Sequence, residues 1–313
     1  MARDIPEKEA QMKQRVRGLA VLLTGVCCGV AFLGGQQKLT TEPDPSFRED
    51  AVSNHRHPDV DTDVFLYIKH WRESLPGVGH GGLIERDILS PGDPLKPAKK
   101  GAVLKYITGY KRAALEPRTN TKSVLSDKEQ LFFYVMSGAG TIETRTKKAP
   151  LEEGTAIFVP AGIEYRFTNP AEASLEMLLV TEDVPVGFAA NREISVGSYH
   201  SSEPGLGMHW AHIGRGFAYD VPPKFANPVG FAIVSIDKMD IAQPHVHGPG
   251  CEEIWCQLKG RSLLLFGTRL MWQEPGEAFL IPPNGKVPHA SINATDEPML
   301  WLYMGNRHDH LNK

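Results

Sequence analysis

The stretch Pro244-His-Val-His-Gly-Pro-Gly-Cys-Glu-Glu-Ile-Trp255, answered downstream by Gly285-Lys-Val-Pro-His-Ala-Ser-Ile-Asn293, decides how this chain is read. An extended backbone from Pro244 sends His245 and His247 to one face, because side chains alternate with a period of two along a strand. Two imidazoles side by side can grip one metal ion. A carboxylate at Glu252 or Glu253 and a third imidazole at His289 complete a mixed nitrogen and oxygen set. Such a set suits one borderline divalent transition metal, with Mn, Fe or Ni favoured and Zn or Cu also admissible.

The two carboxylates differ by one residue, and that decides which face each takes. Strand alternation lets only one of them point inward with Trp255 and Gln257, and that one is Glu253; Glu252 stands as the alternative ligand. The spare carboxylate, Glu252, is then a candidate for catalytic proton transfer, together with His209 and His212 from the segment ahead of this stretch. Trp255, Gln257, Ser291 and Asn293 share the inward face by the same alternation and are expected, with His209 and His212, to line a substrate pocket.

Working outward, short apolar runs alternate with turns from Gly101 onward. Residues 102–108, 130–136, 140–144, 155–159, 165–167 and 175–180 read as strands, and the series restarts at 230–236, 253–258, 262–267, 278–281, 289–293 and 299–303. Strands without intervening helices argue for an antiparallel barrel or sandwich. The restart is a repeat in residues as well as rhythm. Tyr134-Val-Met-Ser-Gly138 answers Trp255-Cys-Gln-Leu-Lys-Gly260, Gly154-Thr-Ala-Ile-Phe-Val-Pro160 answers Gly276-Glu-Ala-Phe-Leu-Ile-Pro282, and Asn169 answers Asn293.

These residues resemble the cupin superfamily, and the duplication resembles a bicupin. Its first motif, a His-x-His followed by Glu and a closing Gly, is matched by His245, His247 and Gly260 with one of the two glutamates. Its second is matched by Gly276, Pro282, Gly285, His289 and Asn293, with two extra residues around Gly285 that widen the loop. The resemblance implies an all-β fold of two tandem cupin jelly-roll barrels. In the first copy the second motif keeps Gly154, Pro160, Gly162 and Asn169 but has Tyr165 in place of His. Its first motif offers Arg118, Thr119 and Asn120 ahead of Glu129, Gln130 and Leu131, with no His-x-His. The first barrel is therefore expected to be structural.

The domain reading follows: 1–35 a signal peptide or membrane anchor, 36–100 a linker and mostly irregular arm, 101–185 the degenerate barrel, 186–228 a connector, and 229–313 the metal-binding barrel. Lys13, Arg15 and Arg17 precede an apolar run over 19–33, the pattern of an export signal or N-terminal anchor, so an extracytoplasmic location is expected. Pro43, Pro45 and Pro58 mark a polar linker in which His55 and His57 read as solvated. Residues 64–75 have helical apolar spacing and read as a short helix or an arm packing on the body, and Gly79-His80-Gly81-Gly82 reads as a turn.

At 313 residues with 41% hydrophobic and 23% charged residues the chain can bury large cores, and its net charge of −3 carries no basic patch for a nucleic acid. Cys27, Cys28, Cys251 and Cys256 are too poorly spaced for a disulfide framework. The expected partner is a small-molecule substrate. A membrane is met only through the N-terminal segment, and the chain is a monomer or homodimer. The expected function is a metal-dependent enzyme, an oxidoreductase or a lyase, decarboxylase or isomerase, acting on a small carboxylate, sugar or phenolic. The rival readings are a non-catalytic, metal-stabilised barrel that binds a carbohydrate or a protein, and a metal-free scaffold whose histidines satisfy one another.

Overall fold

The computed structural model describes residues 63–206, 209, 211–227 and 229–307. The export or anchor segment, the polar linker with His55 and His57, and Cys27 and Cys28 lie outside the described residues. So does the chain beyond Arg307.

Two strands precede the first barrel, β1 (Ile68–His70) and β2 (Leu83–Pro91). The barrel itself contains β3 (Gly109–Leu115), β4 (Glu129–Ser137), β5 (Thr155–Val159), β6 (Tyr165–Asn169) and β7 (Leu175–Asp183). The connector supplies β8 (Ser195–Ser198) and β9 (Ile213–Arg215). The second barrel contains β10 (Val229–Ile236), β11 (Cys251–Lys259), β12 (Glu277–Ile281), β13 (His289–Asn293) and β14 (Met299–Arg307). One main sheet runs β8-β5-β4-β7-β3-β2 and the other β1-β12-β11-β14-β10-β9; a four-stranded sheet built on β6 or β13 closes each barrel. The described chain is thus all-β, with two jelly-roll barrels and helix only as short 3₁₀ turns.

The two sheet orders coincide strand for strand, so the repeat is longer than its motifs. It begins with β1 in the first copy and β8 in the second, and each of these adds to the edge of the other copy's barrel. The contacts match in detail. Trp71 N–H donates to Gly276 O at 3.4 Å, and Tyr199 N–H donates to Gly154 O at 3.4 Å. Both glycines have positive φ, +93° and +91°, and a Cβ on either would collide with the visiting arm, Trp71 in one case and His200 in the other. Exchange of arms covers edge strands that would otherwise be left open.

Four expectations are corrected. Residues 64–75 do not form a helix: Val64–Leu66 and Trp71–Glu73 are 3₁₀ turns flanking β1, because the Tyr67 and Ile68 side chains are buried by pairing of this segment with β12. The mostly irregular arm contributes β2, a nine-residue strand on the edge of the first barrel. The connector likewise contributes strands to both barrels. In the repeat, register places Phe133, opposite Ile157, where Trp255 lies opposite Phe279; the counterpart of Trp255 is Phe133 rather than Tyr134.

β4 and β11 are buried on both faces because each is covered on both. Leu131, Phe133 and Val135 fill the first barrel with Ile142 and Phe167. Phe132 and Tyr134 point the other way, into a core shared with the second barrel, where Phe132 stacks on Phe231 at 3.8 Å and 9°. Gly79-His80-Gly81-Gly82 is the turn entering β2, as expected.

Candidate metal centre

The segment Pro244–His247 is extended enough to bridge β13. His245 N–H donates to His289 O at 3.2 Å and His289 N–H to His245 O at 3.0 Å, which brings these two imidazoles to 4.1 Å between centroids. His247 lies two residues on, its ring 4.8 Å from that of His245. Glu253 projects inward from β11. One ligand atom from each of His245, His247, Glu253 and His289 lies within 4.8 Å of all the others.

The donor set fits a divalent metal. His245 Nδ1 donates to Gln243 O at 3.0 Å and His289 Nδ1 approaches Val287 O at 3.4 Å, so each ring is held with its Nε2 lone pair toward the cluster. The Nε2 atoms of His245, His247 and His289 are buried and have no hydrogen-bond partner, although His247 Nε2 lies in ion-pair contact with Glu253. Burial lowers the pKa of His245 and carries His289 well below the ordinary histidine value, which keeps both neutral and ready to ligate. Trp255 Nε1–H donates to the Glu253 carboxylate and fixes its orientation.

Beside the cluster lies a cavity of ≈ 230 Å³ whose walls include His209, His212, Cys251, Trp255, Trp301 and Tyr303. His209 stacks on His245 at 3.7 Å. His212 is 6% exposed with an unpartnered Nε2; burial first, then the neighbouring His209 and His245, bring its pKa down to about 4. His209, His212 and Trp255, expected from the sequence to line a pocket, border this cavity. The sequence reading missed Trp301 and Tyr303, which alternate inward along β14 and could have been found by continuing the period of two.

Four of the expected residues lie elsewhere. Glu252 points to the opposite face of β11 and borders a different cavity; burial raises its pKa to about 7. Gln257 is buried at the β11 bulge, its Nε2 donating to Lys259 O at 2.9 Å and Gly260 O at 3.3 Å. Ser291 is fully buried in the barrel interior and is not among the residues bordering the cavity. Asn293 donates from Nδ2 to Ile236 O, Asp237 O and Glu297 O at 3.2, 2.9 and 2.8 Å; Asn169 makes the same three bonds in the first barrel, to Leu115, Glu116 and Ala173. The motif asparagine therefore ties down strand ends. The same bonds sequester Asn293, which begins an Asn-Ala-Thr sequence of the kind that can accept a glycan.

In the first barrel the bridge equivalent to His245–His289 is Val124–Tyr165. The same barrel holds a cluster of charged side chains. His80 sits between Glu85, with Nδ1 at 2.5 Å from Oε1, and Glu129, with Nε2 at 3.3 Å from Oε2, while Lys111 Nζ is 3.0 Å from Glu85. Burial alone would lower the His80 pKa, but the two carboxylates outweigh it and raise the pKa to about 9.

No curated protein sequence matches this chain. Residues 112–181 match the family described as "Cupin domain". A putative glyoxylate-induced protein from Pseudomonas aeruginosa has a similar fold, 12% identical over 72% of this chain and 79% of that one, at a TM-score of 0.57. A variant of Bacillus subtilis oxalate decarboxylase is 14% identical over 77% of each chain, also at 0.57. Another structure of that enzyme, 13% identical over 77% of each chain with a TM-score of 0.56, is described by its Mn(II) centres. By the family match over residues 112–181 and by its two-barrel fold, the chain is similar to the two-barrel cupin proteins.

Proposed function

We propose that this chain is a metal-dependent enzyme acting on a small, flat, oxygen-rich molecule of the phenolic class, at one three-His, one-Glu centre in the second barrel. The observation that carries the reading is the aromatic cavity against the metal cluster. Trp255, Trp301 and Tyr303 give it planar apolar walls, and among the described residues no Lys or Arg borders it. A second carboxylate on a substrate would find no cationic partner there, and the planar aromatic walls suit a flat ring better than a puckered sugar. A phenolic ring needs neither.

Mn, Fe or Ni, with Zn or Cu as further candidates, would be held by His245, His247, Glu253 and His289. Such a metal supplies Lewis acidity that stabilises negative charge on a bound oxygen. The residues of the chain set the rest. Trp255 and Trp301, stacked at 5.1 Å, form a rigid wall for a ring plane. Neutral His212 presents Nε2 to a substrate hydroxyl. The burial of His289, Glu253 and Trp255 excludes water from the inner side of the centre.

The test is elemental analysis of untagged protein, followed by calorimetric binding of catechol, oxalate and glucuronate to metal-loaded protein and by assays of oxygen uptake and carbon dioxide release. Catechol binding at least tenfold tighter than either rival, lost in the His245→Ala/His247→Ala double variant, is the expected result. Binding of a ligand that survives this variant, without turnover, would instead favour a non-catalytic barrel.

A further inference from the structure

A second cavity lies on the far side of the strand that carries Glu253. It measures ≈ 680 Å³ and is bounded by Asp93, Lys105 and Tyr106 from the segment ahead of β3 and by Pro249, Glu252 and Pro283 from the second barrel. Glu252 is 1% exposed, and its Oε1 has no hydrogen-bond partner. A buried carboxylate oxygen with no donor is costly, and a ligand that supplies one relieves that cost.

The chemistry of the walls selects the donor. Two acidic side chains, Asp93 and Glu252, line the cavity with one basic side chain, Lys105, so acidic groups outnumber basic ones there. The Lys105 Nζ lies 5.3 Å from the centre of the Tyr106 ring, so this aromatic face already accommodates an ammonium group. The rings of Pro249 and Pro283 offer apolar surface for an alkyl chain. We propose that this cavity binds a small organic ammonium compound, its nitrogen donating to Glu252 and its alkyl part lying against Tyr106 and the two prolines.

The site is distinct from the metal centre, because Glu252 and Glu253 point to opposite faces of β11. It is nevertheless built from the turns that carry the metal ligands. Gly250 N–H donates to Pro283 O at 2.9 Å, joining the turn after His247 to the one that leads to His289. An occupant braces both turns from behind.

Butylammonium is the probe, with 1-butanol and butyrate as its neutral and anionic isosteres, followed by ligand-observed NMR on the full chain. Saturable binding of butylammonium is expected, at least tenfold weaker for both isosteres and at least tenfold weaker in Glu252→Gln. Lys105→Ala, a change at an exposed side chain, removes the resident ammonium and tightens the probe at least twofold. The His245→Ala/His247→Ala variant binds it as the unaltered chain does. Absence of binding, equal binding of the three probes, indifference to Glu252→Gln, weakening in Lys105→Ala, or loss in the double-histidine variant would each overturn the proposal.

Discussion

His245 and His289 exchange both backbone hydrogen bonds across an otherwise isolated bridge, and Val124 and Tyr165 make the same exchange in the first barrel, at 2.9 and 3.0 Å. One piece of backbone geometry therefore serves two different purposes. Where its side chains are imidazoles it aims two ligands at one point; where they are Val and Tyr it only closes a barrel. The bridge is a fold feature, and metal binding depends on the side chains it carries.

Metal content should follow those side chains. Three buried imidazole nitrogens without hydrogen-bond partners, one of them in ion-pair contact with Glu253, gain an interaction from a cation. Bound metal should raise the melting temperature, because a ligand at a hundred times its Kd stabilises the folded state by about 2.7 kcal/mol. His289→Ala and His245→Ala/His247→Ala should abolish both the stoichiometric metal and this shift. Elemental analysis and thermal unfolding at graded metal concentration give the two readouts.

The adjacent carboxylates should separate cleanly. Glu253 lies inside the ligand quartet and Glu252 across the sheet. Glu253→Gln should weaken metal at least tenfold in a chelator competition, whereas Glu252→Gln should retain full metal stoichiometry. The reverse pattern would assign the ligand to the wrong face of β11.

The ion cluster in the first barrel predicts an alkaline loss of stability. The His80 pKa is raised above the unfolded value of about 6.5, to about 9. Its contribution is therefore complete below the unfolded value and is lost as pH rises through the folded one. The groups facing it are Glu85 and Glu129, with Lys111 on Glu85. Since His80 is largely buried, the contribution amounts to at most ~3 kcal/mol. The stability gap between the native chain and His80→Gln should shrink between pH 7 and pH 10 in urea unfolding.

Asn169 and Asn293 should behave as a pair. Each side chain satisfies three backbone carbonyls, so Asn→Ala at either position should cost about 2–4 kcal/mol, the sum of several unmet buried bonds. Denaturant unfolding of the two variants checks both the size and the equality.

Much of this was legible in the sequence, and the rest failed for identifiable reasons. The duplicated strands and the quartet His245, His247, Glu253 and His289 follow from a period of two, which is strong in Pro244–His247 and again in β13. The same period assigned Gln257, Ser291 and Asn293 to the pocket, because alternation gives the face of a strand but not the depth along the barrel. The arm exchange escaped notice because β1 has only three residues and its partner, β12, lies far along the chain. Local periodicity carries no trace of such a pairing, and the apolar spacing of residues 64–75 imitated a helix.

Trp255 connects the two halves of the centre and gives its most discriminating test. Its ring belongs to the cavity wall, while its Nε1–H donates to Glu253 and its face packs edge-on against His289 at 5.4 Å. Trp255→Phe keeps an aromatic wall and deletes the donor. Loss of a hydrogen bond that orients a ligand typically costs 10–100-fold in metal affinity. The variant should therefore fold, since Phe133 fills the equivalent position of the first barrel, and should bind metal at least tenfold more weakly in a chelator competition. Unchanged affinity would mean that the Glu253 carboxylate is held without Trp255. An unfolded variant would instead make the indole a packing element first, and Trp255→His, which can retain an N–H toward Glu253, would then be expected to recover metal affinity only where it recovers the fold.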